Sequence, residues 1–101
     1  MVGLLGGKVR FSWDPAKAAS NASKHGVTFD EALTVFADPL TRLFDDEEHS
    51  MEERREVAIG YSERGRLLVV FFTEREAAIR IFSAREVTKR ERHDYEKNYV
   101  S

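Results

Sequence analysis

Two rhythms of apolar and polar positions divide the chain, one with the period of a strand and one with that of a helix. Residues 66–73 contain the unbroken run Leu67-Leu68-Val69-Val70-Phe71-Phe72. It is apolar on both faces and predicts a central strand covered from both sides. Residues 54–61 alternate instead, with Val57, Ile59 and Tyr61 on one face. Residues 78–84 alternate again, with Ile79 and Ile81 on one face and Arg80 and Phe82 on the other. Ser62-Glu63-Arg64-Gly65 and the short segment 74–77 separate these runs. Turns that short predict an antiparallel meander. Residues 9–13 and 40–45 are shorter candidate strands.

The helical rhythm occupies the remainder. Asp14-Pro15 opens a first helix, because aspartate accepts otherwise unpaired N–H groups and proline is tolerated in the first turn. The helix is expected to run to about Lys24 and stop at Gly26. Lys17, Asn21 and Lys24 stand at i, i+4 and i+7, so they share one face. Thr28-Phe29-Asp30-Glu31 is a capping box, and Phe29, Ala32, Leu33 and Phe36 form an apolar stripe behind it. Asp38-Pro39 ends that second helix. Thr88-Lys89-Arg90-Glu91 is another capping box and opens a last helix reaching about Asn98. The predicted order is β-α-α-β-β-β-β-α. It describes an α+β domain, a small antiparallel sheet with two N-terminal helices and one C-terminal helix packed on it.

At 101 residues the chain is read as one domain over residues 1–101, with residues 1–8 as a loose N-terminus. Residues 1–7 have no apolar core of signal-peptide length. The longest apolar run is far too short for a membrane span. The chain has no cysteine, which excludes disulfides, thiolate metal sites and a cysteine nucleophile. These features point to the cytoplasm.

Net charge is −2, which argues against a constitutive DNA-binding domain, and no helix-turn-helix pattern is visible. The charge is unevenly spread. Residues 45–56 hold seven acidic residues against two arginines. Residues 75–92 hold six cations against three glutamates, and residues 8–25 hold four cations against Asp14. The pattern fits a basic face and an acidic face, or simply solvated charge. Cations at the ends of very hydrophobic strands, with lysines, an asparagine and a histidine on one short helix, suggest a site for something anionic.

An ordered set of short motifs carries a resemblance. It comprises residues 11–17 (with Trp13-Asp14-Pro15-Ala16-Lys17), residues 21–26 (Asn21-Ala22-Ser23-Lys24-His25-Gly26), residues 29–36 with Asp38-Pro39, and His49 with Glu52-Glu53-Arg54. It continues with Gly60, Gly65-Arg66, Thr73-Glu74-Arg75, Arg80-Ile81-Phe82-Ser83-Ala84-Arg85, and Thr88 through Glu91-Arg92 to Tyr95-Glu96. In this order the motifs resemble the BrnT family of bacterial toxins over nearly the whole chain after Arg10. The resemblance implies a RelE-like fold and a ribonuclease toxin of a type II toxin–antitoxin system that blocks translation by cleaving RNA. It also implies a partner, a BrnA-like antitoxin with a ribbon-helix-helix DNA-binding part. The expected complex holds two toxins and two antitoxins, and reaches operator DNA through the antitoxin.

RNA cleavage without a metal requires a base for the 2′-hydroxyl, a cation for the charge growing on the phosphoryl oxygens, and an acid for the leaving 5′-oxygen. Arginine suits the second task because its fork grips phosphate bidentately. Arg80 and Arg85 are the candidates. Arg80 lies mid-strand, where its head reaches either a cleft or a carboxylate such as Glu74. His25 is a candidate acid or base, since histidine titrates near neutral pH. Glu74 is a candidate base or a partner that orients an arginine. Lys17, Lys24, Asn21 and Arg66 are the expected RNA-binding set. Asp45, Asp46, Glu48 and His49 resemble part of a metal site but lack a second fixed cluster, so no metal and no cofactor is expected. Trp13 is expected in the core, with base stacking as the alternative. A non-catalytic toxin-like module that only holds an antitoxin is the competing reading.

Overall fold

The computed structural model describes residues 2–5, 9–46 and 54–100, with side chains over 9–46 and 54–97. The elements are β1 (Val2–Leu5), β2 (Val9–Ser12), α1 (Pro15–His25), α2 (Phe29–Ala32) with a 3₁₀ turn (Leu33–Ala37), β3 (Arg42–Asp45), β4 (Glu56–Tyr61), β5 (Leu67–Arg75), β6 (Ala78–Glu86) and α3 (Lys89–Val100). They form one six-stranded sheet in the order β1-β2-β6-β5-β4-β3. The meander β4-β5-β6 is antiparallel throughout.

Two features of the sheet differ from the pattern reading. First, β2 pairs with β6 in parallel, Phe11 beside Ile79, so the sheet is mixed rather than antiparallel. The chain reaches β6 only after two helices and three strands, a connection long enough for a parallel pairing. Second, Val2–Leu5 is an antiparallel edge strand on β2, where the pattern showed no element. Four residues with a glycine among them carry no usable periodicity; the neighbouring backbone decides their conformation.

The core lies between one sheet face and the segment from α1 to the 3₁₀ turn. Leu68, Val70 and Phe72 of β5, Ala58 of β4, Ile81 and Ala84 of β6, and Phe11 of β2 meet Val27, Phe29, Ala32, Leu33 and Val35. Three ring pairs lock it: Phe11–Phe36 at 5.3 Å, Phe36–Phe72 at 5.0 Å and Trp13–Phe29 at 5.9 Å. Trp13 is buried here, so it offers no surface for a base. Gly60 of β4 backs directly onto Thr41 and Val35, and any side chain there would collide with the Thr41 hydroxyl.

The caps behave as their residue types dictate. Asp14 Oδ1 accepts from the Ala16 N–H at 2.8 Å, and Gly26 closes α1 at φ 68° in the left-handed region. Thr88 and Glu91 form a complete capping box: each side chain accepts from the other's backbone N–H, at 2.8 and 3.1 Å. At α2 only half of the box forms. Thr28 Oγ1 accepts from Glu31 N–H, but the Glu31 carboxylate is drawn away to Ser62 and Arg66. The helix tightens into 3₁₀ geometry after four residues. α3 meets the sheet through the Arg85–Glu91 pair and through Tyr95. The Tyr95 ring stands edge-on to Tyr61 at 6.1 Å, and its hydroxyl donates to the Leu40 carbonyl at 3.2 Å.

Candidate functional site

A β-bulge brings the cations together. Strict alternation along Arg80-Ile81-Phe82-Ser83-Ala84-Arg85 would send the two arginines to opposite faces. The ladder does otherwise: Arg80 pairs with Thr73, Ile81 with Phe72, Ser83 with Phe71 and Arg85 with Val69. Phe82 is the extra residue without a partner on β5. Because Thr73, Phe71 and Val69 share one face, Arg80, Ser83 and Arg85 share it too, opposite the core. A bulge of this kind re-aims side chains at the cost of local pairing.

The rings on this side carry cations. The Arg85 guanidinium lies 5.9 Å from the Phe71 centroid. Phe82 receives Arg55 at 4.5 Å and the Lys17 ammonium at 5.4 Å. Such contacts stabilise by about 0.5–1 kcal/mol when exposed. Between α1 and β6 lies an open groove of about 190 Å³, lined by Lys17, Ser20, Asn21, Lys24, His25, Phe82 and Ser83. The structure therefore brings Lys17, Lys24 and His25 to one groove. Arg80 lies two residues from Phe82, half-buried, with no hydrogen-bond or ion-pair partner among the described residues.

Other expected site residues are tied into the fold. Asn21 is buried and uses both ends of its amide. Its Nδ2 donates to Ala84 O at 2.8 Å and Val27 O at 2.9 Å, while its Oδ1 accepts from Ala84 N at 3.1 Å and the Ser83 hydroxyl at 3.2 Å. It serves β6 as a neighbouring strand would, along the stretch that β2 does not reach. Arg66 grips Glu31 with both arms of its fork and donates to Gly26 O at 3.0 Å. This hydrogen bond is the main reason the Glu31 carboxyl is held below the usual carboxylate range, against the upward push of burial. Asn21 presents no spare donor as an RNA ligand would, and Arg66 keeps only Nη1, which faces Glu86 at 3.7 Å. Sequence spacing put Asn21 on the lysine face correctly but carried no sign of what lay across from it.

Arg85 is intermediate. Its guanidinium faces Phe71, yet Nη1 and Nη2 hold Glu91 at 2.8 and 3.0 Å. The Glu91 carboxyl is lowered to about 2, first by that hydrogen bond and then by the Thr88 cap. Glu74 lies elsewhere. It lines a separate cleft of about 260 Å³ with Arg54 and Glu56 and makes no ion pair with Arg80. Burial, then the Glu74 charge, pushes the Glu56 carboxyl up. Arg54 is committed to Asp45 at 2.8 Å. Glu48 and His49 lie outside the described residues, and among those described no group of three or more metal-ligating side chains converges. Phe82 and Arg55 were missed by the site reading. For Arg55 the signal was present: it continues the alternation of Val57, Ile59 and Tyr61 and so points to the same face.

By fold, this is a single-sheet α+β protein in which Arg55, Arg80 and Arg85 share one sheet face. The sequence profile of the family described as the ribonuclease toxin BrnT of type II toxin–antitoxin systems matches residues 13–91, and the chain belongs to that family. The fold is also similar to the crystal structure of the Brucella abortus ribonuclease toxin BrnT, with a TM-score of 0.61 at 22% identity, over 78% of this chain and 96% of that one. No curated protein matches the sequence significantly. Among the described residues, no helix is long and apolar enough to cross a membrane.

Proposed function

We propose that the protein is a metal-independent endoribonuclease that cleaves RNA on the sheet face carrying Arg80, and so inhibits translation as the toxin of a toxin–antitoxin pair. One observation supports this most: the bulge in β6 sets Arg80 beside an aromatic, cationic surface, and leaves its guanidinium without a partner among the described residues. A structural arginine finds a carboxylate, as Arg66 and Arg85 do. An arginine kept for phosphate does not.

In this reading Arg80 stabilises charge on the phosphoryl oxygens, and Arg85 assists from its anchor on Glu91. His25, at the far end of the α1 groove, is the acid or base. Lys17 and Lys24 hold flanking phosphates as point charges. Glu74 is too clearly committed to another cleft to serve as the base. The toxin works in the cytoplasm, and its fold is of the RelE-like kind. A BrnA-like ribbon-helix-helix antitoxin covers the basic face, in a complex of two toxins and two antitoxins that contacts operator DNA through the antitoxin.

The placement of Glu74 in a separate cleft, away from the base position it was expected to fill, favours the second reading, a non-catalytic module that only holds an antitoxin. Purified protein and a labelled RNA, in excess EDTA, decide between them. Cleavage that disappears in Arg80→Ala supports the enzyme. Intact RNA at every protein concentration, with tight antitoxin binding, supports the module. Cleavage abolished by EDTA and restored by a divalent ion overturns the metal-free mechanism.

A further inference from the structure

Phe82 has no obvious structural employment. It is the bulged residue of β6, with no register partner on β5. It is half-buried and stands outside the buried core cluster. Its ring nevertheless collects two cations from different elements, Arg55 from the segment before β4 and Lys17 from α1. It also forms part of the wall of the 190 Å³ groove beside α1. An aromatic ring in a positively charged groove is the composition of a single-stranded nucleic-acid site, where bases stack on rings and cations follow the backbone.

We infer that Phe82 is the stacking platform for one base of single-stranded RNA, with Arg55 backing the ring and Lys17 gripping a phosphate that flanks that nucleotide. Lys17 is exposed, and its ammonium lies farther from the ring than the Arg55 guanidinium does. The flexible lysine stem yields its place to the incoming base and swings to phosphate, while Arg55 stays on the ring. Duplex RNA does not fit this arrangement, because its bases are already stacked on each other. A ring reads only the π-face, so the platform tolerates any base. Its position two residues from Arg80 on the same strand places the stacked nucleotide next to the proposed cleavage point.

The inference deepens the nuclease reading and rests on it for the class of ligand. The test uses the full chain and a single-stranded 2′-O-methyl oligonucleotide, which cannot be cleaved through its 2′-oxygen. Phe82→Trp gives an optical probe, since Trp13 is only 3% exposed and supplies a constant background. Its fluorescence should be quenched by the oligonucleotide and much less by a duplex of the same sequence. Phe82→Leu should weaken binding by about tenfold or more, and raise KM for a cleavable RNA by a similar factor with kcat retained. Wild-type KM and affinity in Phe82→Leu, with wild-type protein cleaving normally, overturn the platform and leave the nuclease reading standing. Wild-type protein that neither binds nor cleaves RNA sinks the nuclease reading as well. Unquenched Phe82→Trp, or loss of antitoxin binding rather than RNA binding in Phe82→Leu, also overturns it. Should Phe82→Leu fail to fold, the quenching of Phe82→Trp decides alone.

Discussion

The hairpin end of the sheet and the bulged stretch of β6 use the same residue type in opposite ways. At the hairpin, Arg66 spends its fork on a carboxylate that is 3% exposed, and the Ser62 hydroxyl donates to the same group at 2.7 Å. Every buried side-chain polar atom there has a partner, and the cluster pins α2 to the β4–β5 turn. On the bulged stretch, Arg80 has no such partner among the described residues, and the neighbouring cations rest on Phe82. Residue type does not separate architecture from chemistry here. Commitment does: a buried charge without its partner is costly, so a cation retained without one stays near solvent, where a ligand can reach it.

The hairpin side of this contrast should break hardest. Arg66→Ala leaves the buried Glu31 carboxylate largely uncompensated and should cost about 3–5 kcal/mol in urea unfolding. The folded fraction should still cleave RNA. Loss of cleavage without loss of stability would move Arg66 back among the functional residues.

Asn21→Asp is the next largest. It replaces an amide that donates to two buried carbonyls with a group that can only accept, so both carbonyls lose their partner. A cost of about 2–3 kcal/mol should follow, and chemical denaturation measures it. A variant that is stable but deficient in RNA binding would contradict the architectural role.

Arg80→Ala sharpens the other side. Cleavage should fall by about tenfold or more, while stability changes by no more than about 1 kcal/mol, because the half-buried side chain has no ion pair among the described residues to lose. Unfolding on this substitution would show that Arg80 is structural after all.

The smallest effect concerns Arg85 and Glu91. The Glu91 carboxyl is depressed in the fold from 4.5 to about 2. A depressed carboxyl contributes stability that is fully present above its unfolded value and is lost as pH falls through the folded one. The anchor of α3 should therefore weaken between pH 4.5 and about 2. Melting temperatures of wild type and Glu91→Gln should converge over that window. A constant gap down to the acid limit would show that the carboxylate does not anchor the helix.

Much of the architecture was legible from pattern alone. The apolar run through Phe72 marked the central strand, the alternation around it marked the meander, and Asp14-Pro15, Thr28 and Thr88 marked the helix starts. Each of these signals is local, carried by residues within one or two turns of each other. The family resemblance was legible too, as an ordered set of short motifs. The mixed sheet was not, because parallel pairing of β2 with β6 joins residues about seventy positions apart and leaves no mark on either strand's period. Nor were the true employments of Asn21 and Arg66, whose partners are Ala84 and Glu31. Strict alternation would set Arg80 and Arg85 on opposite faces. One unpaired residue, Phe82, shifts the register and puts them on the same one, since the side-chain period of a strand is two and a single insertion reverses it. The sequence by itself determined all the elements but the first strand, and which residues are charged. Only the tertiary structure decided which charges find partners, and that depends on contacts across the sheet that no local pattern records.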